Sequence, residues 1–221
     1  MHIALLGGTG DVGEGLALRW AYHTDHDVLV GSREAGRAAE KAEEYEAELS
    51  SRGLDRDIAG FENAEAASRA DVVVVAVPPW HVGDTVEAVA DALGEAILVS
   101  PAVGMNHDGA GAHYAPPPAG SVTALAAEAA PEGVPVVGAF HNLSADRLAN
   151  LDLEIDLDTV LVGDDGDAKE QVSRLTAGVE GLRPLDGGGL ANAHEVEGIT
   201  PLLVNLGTFN DGMHDVGVKF Q

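Results

Sequence analysis

Short apolar runs alternate with longer stretches of helical periodicity over the first 140 residues of the chain. The apolar runs predict strands, and residues 72–77, which carry no polar side chain, are typical of a parallel strand buried on both faces. The predicted strands cover residues 2–7, 27–31, 58–61, 72–77, 96–100 and 134–140, and the predicted helices cover 11–22, 34–49, 64–69, 80–93 and 121–130. This alternation predicts an α/β fold of the Rossmann type, a doubly wound parallel sheet with right-handed crossovers.

The pattern becomes less regular after residue 141. It predicts a strand near residues 159–162, a helix over 167–178 and a long helix within 191–209. We therefore expect two domains, a dinucleotide-binding domain over residues 1–141 and a small C-terminal α/β domain over 142–221. Residues 104–120 are rich in glycine and proline, and they are too many for a routine connection, so we predict a lid or binding loop there.

The charge balance excludes several classes of function. The chain has 37 acidic and 12 basic residues and a formal net charge of -25, which repels nucleic acids and anionic membranes. It has no cysteine, so disulfides, cysteine-based zinc sites and thiol nucleophiles are excluded. The N-terminus shows no signal-peptide pattern, and the longest apolar run is too short to cross a bilayer. We expect a soluble, cytoplasmic protein.

Lysine is scarce even among the few basic residues. Only Lys41, Lys169 and Lys219 are present, whereas acidic residues are spread over the whole chain. Such a chain repels itself when compact, and molar salt removes that repulsion by shortening the Debye length to about 3 Å. The composition favours a halophilic origin over that of an ordinary acidic protein.

A glycine-rich turn joins the first predicted strand to the first predicted helix. Gly8, Gly10 and Gly13 fit the pattern G-x-G-x-x-G in the strand–turn–helix context of a dinucleotide site. Gly8 would permit the tight turn, Gly10 would let the pyrophosphate approach the backbone, and Gly13 would let helix and strand pack closely. The amides at the helix N-terminus would receive the negative charge. The candidate phosphate-binding residues are Gly8, Thr9, Gly10, Asp11, Val12 and Gly13.

The end of the second predicted strand indicates which dinucleotide is bound. An NAD site usually has a carboxylate there for the ribose 2′-hydroxyl, but this chain has Gly31-Ser32-Arg33. A hydroxyl beside a guanidinium suits a 2′-phosphate, and Arg37 lies one helical turn further on. We therefore favour NADP over NAD. The alternative is that Ser32 only caps the next helix and Arg33 is solvated.

Two NADP-dependent families are disfavoured by what is missing. Short-chain dehydrogenases need Tyr-x-x-x-Lys, and none of the three tyrosines has a lysine four residues on. Hydroxyacid dehydrogenases of the phosphogluconate type need a lysine that this chain lacks near residue 141. No H-E-x-x-H or comparable metal-ligand spacing occurs, and His107 and His113 in the glycine-rich segment are expected to be solvated.

Further short motifs accompany the glycine loop and the Gly31-Ser32-Arg33 turn. They are LLGGTGDVGEG at residues 5–15, Val77-Pro78 followed by Trp80-His81, Ser100-Pro101, HNLSA at 141–145, GLRPLD at 181–186, Thr200-Pro201-Leu202 and GVKF at 217–220. With these motifs the chain resembles, over nearly its whole length, the NADPH-dependent reductases of coenzyme F420, a 5-deazaflavin. Pro79 is a departure, because many relatives have Pro-Trp directly.

The resemblance implies a function and a set of site residues. It implies a homodimeric oxidoreductase that transfers hydride directly between NADP(H) and coenzyme F420, with the C-terminal domain completing the deazaflavin pocket. His141 and Leu143 are then the candidate catalytic residues that line the deazaflavin. The remaining candidate coenzyme-binding residues are Val77, Pro78, Pro79, Ala102, Val103, Ala145, Val216 and Gly217.

Two other functions stay open on the sequence alone. An imine or pyrroline-carboxylate-type reductase would share the glycine loop and an Ala102-Val103-Gly104 element, but it would reduce a small C=N substrate. A non-catalytic NADP(H) sensor would keep Thr9, Ser32 and Arg33 without using a pocket at His141. Following the deazaflavin absorbance on mixing with NADPH separates all three possibilities.

Overall fold

The computed structural model describes residues 1–221, and its ten strands and nine helices cover most of the chain. The strands are β1 His2–Leu6, β2 Asp27–Ser32, β3 Ile58–Glu62, β4 Val72–Val75, β5 Ile97–Ser100, β6 Met105–Asp108, β7 Gly111–Tyr114, β8 Val136–Gly138, β9 Leu157–Leu161 and β10 Leu182–Asp186. The helices are α1 Asp11–His23, α2 Ala35–Ser51, α3 Asn63–Ser68, α4 Val82–Val89, α5 Val122–Ala129, α6 Ala145–Ala149, α7 Gly166–Ala177, α8 Ala193–Glu197 and α9 Ile199–Phe209.

The predicted α/β fold of the Rossmann type is confirmed. Six strands form one sheet in the order β3-β2-β1-β4-β5-β8, and all five pairings are parallel. Strand order reverses between β1 and β4, and in such sheets ligands bind in the crevice outside the carboxyl ends at that point. The sheet therefore places the glycine loop after β1 and residues 76–79 after β4 at the edge of one crevice.

Apolar side chains cover both faces of this sheet. Ile3 and Leu5 of β1 belong to the larger core cluster, whereas Ala4 and Leu6 belong to the smaller one on the opposite face. The valines of β4 divide in the same way, since successive side chains of a strand point to opposite faces. A strand made only of valine is thus explained by its central position, where both faces are dry.

The segment over residues 104–120, predicted as a lid or binding loop, has regular structure of its own. It contains the antiparallel hairpin β6–β7. Asn205 of α9 holds this hairpin, because its side chain accepts from the Ala112 amide at 2.7 Å and donates to the Ala112 carbonyl at 2.8 Å. Gly111 has φ +125°, and a Cβ there would lie 2.3 Å from the Asn205 Oδ1 atom, so the contact between Asn205 and the hairpin requires glycine at this position.

The C-terminal part differs from expectation in three elements. Strand β10 and the short helix α6 were not predicted, and the long helix expected within 191–209 is divided into α8 and α9 around Gly198. β9 and β10 form a second parallel sheet, which joins the main one by a bridge between Gly138 and Val162. The larger core cluster includes side chains from both sides of residue 142, and the domain division there stays a proposal.

A buried arginine fixes the chain that follows the sheet. Arg19 of α1 is 2% exposed, and its guanidinium donates to the carbonyls of Leu148, Arg147, Asn150 and Leu153 at distances of 2.6–3.0 Å. These carbonyls lie at the end of α6 and just beyond it, where a helix has no partners of its own for them. Arg19 thus holds the segment that begins at residue 142 against α1.

Replacing Arg19 by methionine should destabilise the protein by about 2–4 kcal/mol, because several buried carbonyls lose a charged donor. Thermal or urea unfolding would measure the loss. Arg174→Met is the matched control, since Arg174 is exposed and its guanidinium pairs only with Glu170 one turn away, so its loss should cost less than about 1 kcal/mol. Equal losses in the two variants would contradict the role given to Arg19.

Candidate functional site

Three adjoining cavities follow the carboxyl ends of the central strands. The first, of about 540 Å³, lies beside the glycine loop and α2. The central cavity, of about 450 Å³, shares Gly10 and residues 76–78 with the first. The C-terminal cavity, of about 550 Å³, lies under α9 and shares Leu143 and Thr200 with the central one. They form a continuous row of sites from the second strand to the C-terminal segment.

The glycine loop has the expected close packing, and two consecutive glycines make its tight turn. Gly7 has φ +75°, and a Cβ there would meet Val77 at 2.7 Å, while a Cβ on Gly8 would meet the Leu5 carbonyl oxygen at 2.8 Å. A Cβ on Gly13 would lie 2.6 Å from the Gly8 Cα atom, so helix and loop touch there. Gly10 begins α1 without a side-chain cap, which leaves the first amides of the helix to a ligand.

The first cavity contains the two arginines of the chain whose guanidinium groups have no partner in the protein, together with the carboxylates of Glu62 and Asp84. Arg33 and Arg37 are exposed, and both line this cavity together with Thr9 and Ser32. Every other lysine and arginine holds a carboxylate or a backbone carbonyl. In a chain with 37 acidic residues, two adjacent unpaired guanidinium groups mark a site for an anion.

Asn63 is a residue of the first cavity that the sequence reasoning missed. It is 9% exposed, lines the cavity at the start of α3, and its Oδ1 atom has no hydrogen-bond partner. A Cβ on Gly31 would lie 2.9 Å from this oxygen, so glycine at the end of β2 makes room for it. Asn63 belongs to no sequence motif, because its place in the cavity depends on the pairing of β2 with β3.

The central cavity is largely apolar. Its only ionisable lining residues are Asp11 and His141, and its other lining residues include Val12, Val77, Pro78, Pro79, Ala102, Val103, Met105 and Leu143. Phe140 precedes His141 with φ +69°, a left-handed conformation that costs about 1–2 kcal/mol outside glycine. Its amide donates to Thr159 Oγ1 and its ring packs edge-on against Trp20, which holds the strained turn.

His141 lies in the wall of the central cavity and is fully buried. Its side chain has no exposure to solvent, and its Nε2 atom contacts the Thr123 hydroxyl at 3.2 Å, while Nδ1 has no partner. Burial lowers the pKa of the imidazole from its ordinary value to about 4. Glu197 Oε1 is 4.0 Å from Nε2, but the Thr123 hydroxyl bridges the two groups, so they do not form an ion pair at neutral pH.

Residues 213–216 form one wall of the C-terminal cavity. Val216 lines it, and Asp215 accepts from the Ser144 hydroxyl at 2.6 Å. Beyond it, the buried carboxylate of Asp158 accepts from Arg183 and from the Phe220 amide, which holds the tail on β9. Thr200 was quoted only within a motif, yet it lines two cavities and donates its hydroxyl to the His141 carbonyl.

The structure brings most of the predicted site residues to these cavities. Thr9, Gly10, Ser32, Arg33, Arg37, Val77 and Pro78 line the first, and Asp11, Val12, Pro79, Ala102, Val103, His141 and Leu143 line the central one. Four predicted residues line none of the three: Gly8 and Gly13, which pack against each other, Ala145, which starts α6, and Gly217, where a Cβ would lie 2.4 Å from the Leu157 Cδ2 atom.

Comparison with known proteins places the chain in a family. The family model "NADP oxidoreductase coenzyme F420-dependent" matches residues 2–104. The F420-dependent NADP reductase of Methanocaldococcus jannaschii is 36% identical over 93% of this chain and 92% of its own length. That of Methanothermobacter marburgensis is 37% identical over 95% of this chain and 94% of its own length. The chain belongs to the F420-dependent NADP reductase family.

Solved structures agree with the fold of this family. A structure of a candidate F420-dependent NADP-reductase from Arthrobacter sp. FB24 superposes with a TM-score of 0.76 at 24% identity and covers 93% of each chain. A pyrroline-5-carboxylate reductase from Coxiella burnetii superposes with a TM-score of 0.55 at 19% identity, and the match covers 83% of this chain but 58% of that one. None of the helices combines the length and apolar character required to span a membrane.

The burial of His141 makes stability depend on pH. Since the folded-state pKa of about 4 is below the unfolded value of 6.5, the unfolded chain binds the proton more tightly between them. The stabilisation is complete above pH 6.5 and is lost as the pH falls towards 4. Between these values the wild type should lose up to about 3 kcal/mol more than His141→Gln in urea unfolding.

The control for this measurement is His107→Gln, which changes an exposed imidazole of the hairpin. It should leave the pH dependence of the unfolding free energy as in the wild type. If His141→Gln and the wild type lose stability in parallel on acidification, the imidazole is not held neutral by burial.

Proposed function

We propose that the protein catalyses reversible, direct hydride transfer between NADP(H) and coenzyme F420. The observation that carries this proposal is the apolar central cavity, which connects the glycine loop and its two unpaired arginines with a second site under α9. Two ligands that enter from opposite ends would meet there. Family membership gives the two coenzymes their identity.

The reaction requires the protein to position the two coenzymes more than to supply reacting groups of its own. When bound, the coenzymes supply the hydride donor and acceptor, the nicotinamide C4 and the deazaflavin C5. The first turn of α1 and Arg33 would hold the phosphates, while Val77 and Pro78 would orient the nicotinamide side. His141 and Leu143 would line the deazaflavin side, and the apolar walls exclude water from the reacting atoms.

The test of this function uses the purified protein with NADPH and F420. The proposal requires loss of the oxidised deazaflavin absorbance at a rate that saturates in both coenzymes. A pyrroline-carboxylate-type reductase would instead oxidise NADPH with a cyclic imine and leave F420 unchanged. A sensor would bind NADPH and do neither, and either of these results would overturn the proposal.

We also propose that the protein is a homodimer. The support is the family resemblance together with an apolar surface on α9, where Leu202, Leu206 and Phe209 recur at helical spacing and are 57%, 36% and 62% exposed. Large apolar side chains clustered in this way mark interaction surfaces on soluble proteins. Sedimentation at several concentrations distinguishes the dimer from a monomer.

We further propose a halophilic origin, which rests on the net charge of -25 and the scarcity of lysine. Self-repulsion of the folded chain and repulsion of two anionic coenzymes both weaken as salt shortens the Debye length from about 10 Å at 0.1 M to about 3 Å at 1 M. Melting temperature and kcat/KM should therefore rise together between about 0.1 M and about 2 M KCl. A steady fall of both with added salt would contradict the halophilic origin.

Arg33 should determine the choice between NADPH and NADH. Its guanidinium has no partner in the protein, and a charge-assisted bond to a 2′-phosphate is worth roughly 1.5–3 kcal/mol. Arg33→Ala should therefore lower kcat/KM for NADPH by about one to two decades and leave NADH nearly unchanged. Arg37→Ala should act in the same direction but more weakly.

Arg174→Ala is the matched control, since Arg174 is equally exposed but lies on α7 and pairs with Glu170. It should leave both coenzymes unaffected at the same salt concentration. The argument fails if Arg33→Ala lowers both coenzymes equally, or if the wild-type protein already prefers NADH.

A further inference from the structure

A carboxylate behind the central cavity is unused by the proposed mechanism. Glu197, the last residue of α8, has no exposure to solvent. Its Oε2 atom accepts from the Tyr114 hydroxyl at 2.9 Å and the Val122 amide at 3.0 Å. Its Oε1 atom accepts from the amide and the hydroxyl of Thr123, each at 2.9 Å. A carboxylate taken out of water needs such donors on both oxygens.

These contacts decide the direction of the Thr123 hydroxyl. A threonine hydroxyl has one proton to donate, and a carboxylate accepts only, so the proton lies towards Glu197. Thr123 Oγ1 then has only lone pairs to offer the His141 Nε2 atom at 3.2 Å. Nε2 must therefore carry the proton of the imidazole. Burial lowers the pKa of His141, so a second proton on Nδ1 is absent at neutral pH.

The Tyr114 hydroxyl, the remaining side-chain group that binds Glu197, is also a donor. Burial, and then the charge of Glu197, raise the pKa of the Tyr114 hydroxyl above its ordinary value. Tyr114 belongs to the β6–β7 hairpin, and Val122 and Thr123 begin α5, so one carboxylate of α8 orders groups from two other elements. Nothing in this set competes with His141 for the lone pairs of the Thr123 oxygen.

We propose that Thr123, oriented by Glu197, is a positioning residue that holds His141 in the tautomer with Nε2 protonated and Nδ1 bare. The Nδ1 atom has no partner in the protein and belongs to a residue in the wall of the central cavity. Nδ1 is therefore a bare acceptor, not a donor, and because the side chain has no exposure to solvent, a ligand reaches it only by displacing the atoms that cover the ring. This inference rests on the proposed function for the identity of the ligand, the deazaflavin, whose contact with His141 must come from an N–H or O–H group.

The tautomer can be measured without any reaction. In protein labelled with ¹⁵N-histidine, the His141 ring should show a protonated Nε2 and an unprotonated Nδ1 from about pH 6 to pH 8. Addition of F420 should shift the Nδ1 resonance, and addition of NADP alone should shift it much less. A proton on Nδ1 in the wild-type protein would overturn the proposal, whether or not the protein reduces F420.

Two substitutions at Thr123 test the positioning role in turnover. Thr123→Val removes the hydroxyl at nearly constant shape and should raise the KM for F420 about ten-fold, with the KM for NADPH unchanged. The same variant should show signal from the other tautomer. Thr123→Ser restores the hydroxyl and should return both properties to near wild-type values.

Thr176→Val is the matched control. Thr176 is as buried as Thr123, but its hydroxyl donates to the Val172 carbonyl within α7. It should alter neither the KM for F420 nor the His141 tautomer, although it removes the same atom from the core. An equal rise in both KM values for Thr123→Val, or an unchanged tautomer, would mean that Thr123 only supports the fold and would overturn the proposal.

Discussion

The hydrogen bonds that one buried carboxylate requires determine how the residues behind the central cavity are arranged. Glu197 has lost all contact with water, and the energetic penalty of several kcal/mol is offset only if its four hydrogen bonds are kept together. Thr123 must therefore lie close to the end of β8, and a Cβ on Gly138 would come within 2.8 Å of its hydroxyl oxygen. Glycine at position 138 therefore leaves the space that Thr123 occupies when it binds the buried carboxylate.

A second buried charge, of opposite sign, acts on the other side of the crevice. The guanidinium of Arg19 binds backbone carbonyls from residues 147–153, and Thr200 of α9 donates to the His141 carbonyl, so the segment from His141 to α6 is held between α1 and α9. The strained turn at Phe140 directly precedes this segment. Strain of this kind persists where the surrounding contacts over-determine the backbone, and it is common at functional sites.

The sheet could be predicted from the sequence because its signals are local. Alternating apolar runs and the glycine pattern within residues 5–15 are enough to place β1, α1 and the first cavity. The hairpin β6–β7 could not be predicted, since its stability comes from Asn205, 93 residues away. The contact of Glu197 with Thr123 spans 74 residues and has no periodic signature. For the same reason, the unpaired state of Arg33 and Arg37 is visible only when the partners of all other cations are known.

The central cavity has little acid–base chemistry to offer, because its one histidine is buried and neutral and Asp11 is its only other ionisable lining residue. This scarcity of acid–base groups suits a reaction in which the hydride moves directly from one coenzyme to the other without exchange with solvent. The most direct measurement is transfer of deuterium to F420 in ordinary water from NADPH that carries deuterium at both C4 positions of the nicotinamide. The account predicts one deuterium at C5 of each reduced deazaflavin. Reduced deazaflavin that carries solvent hydrogen at C5, with the label lost to water, would contradict it.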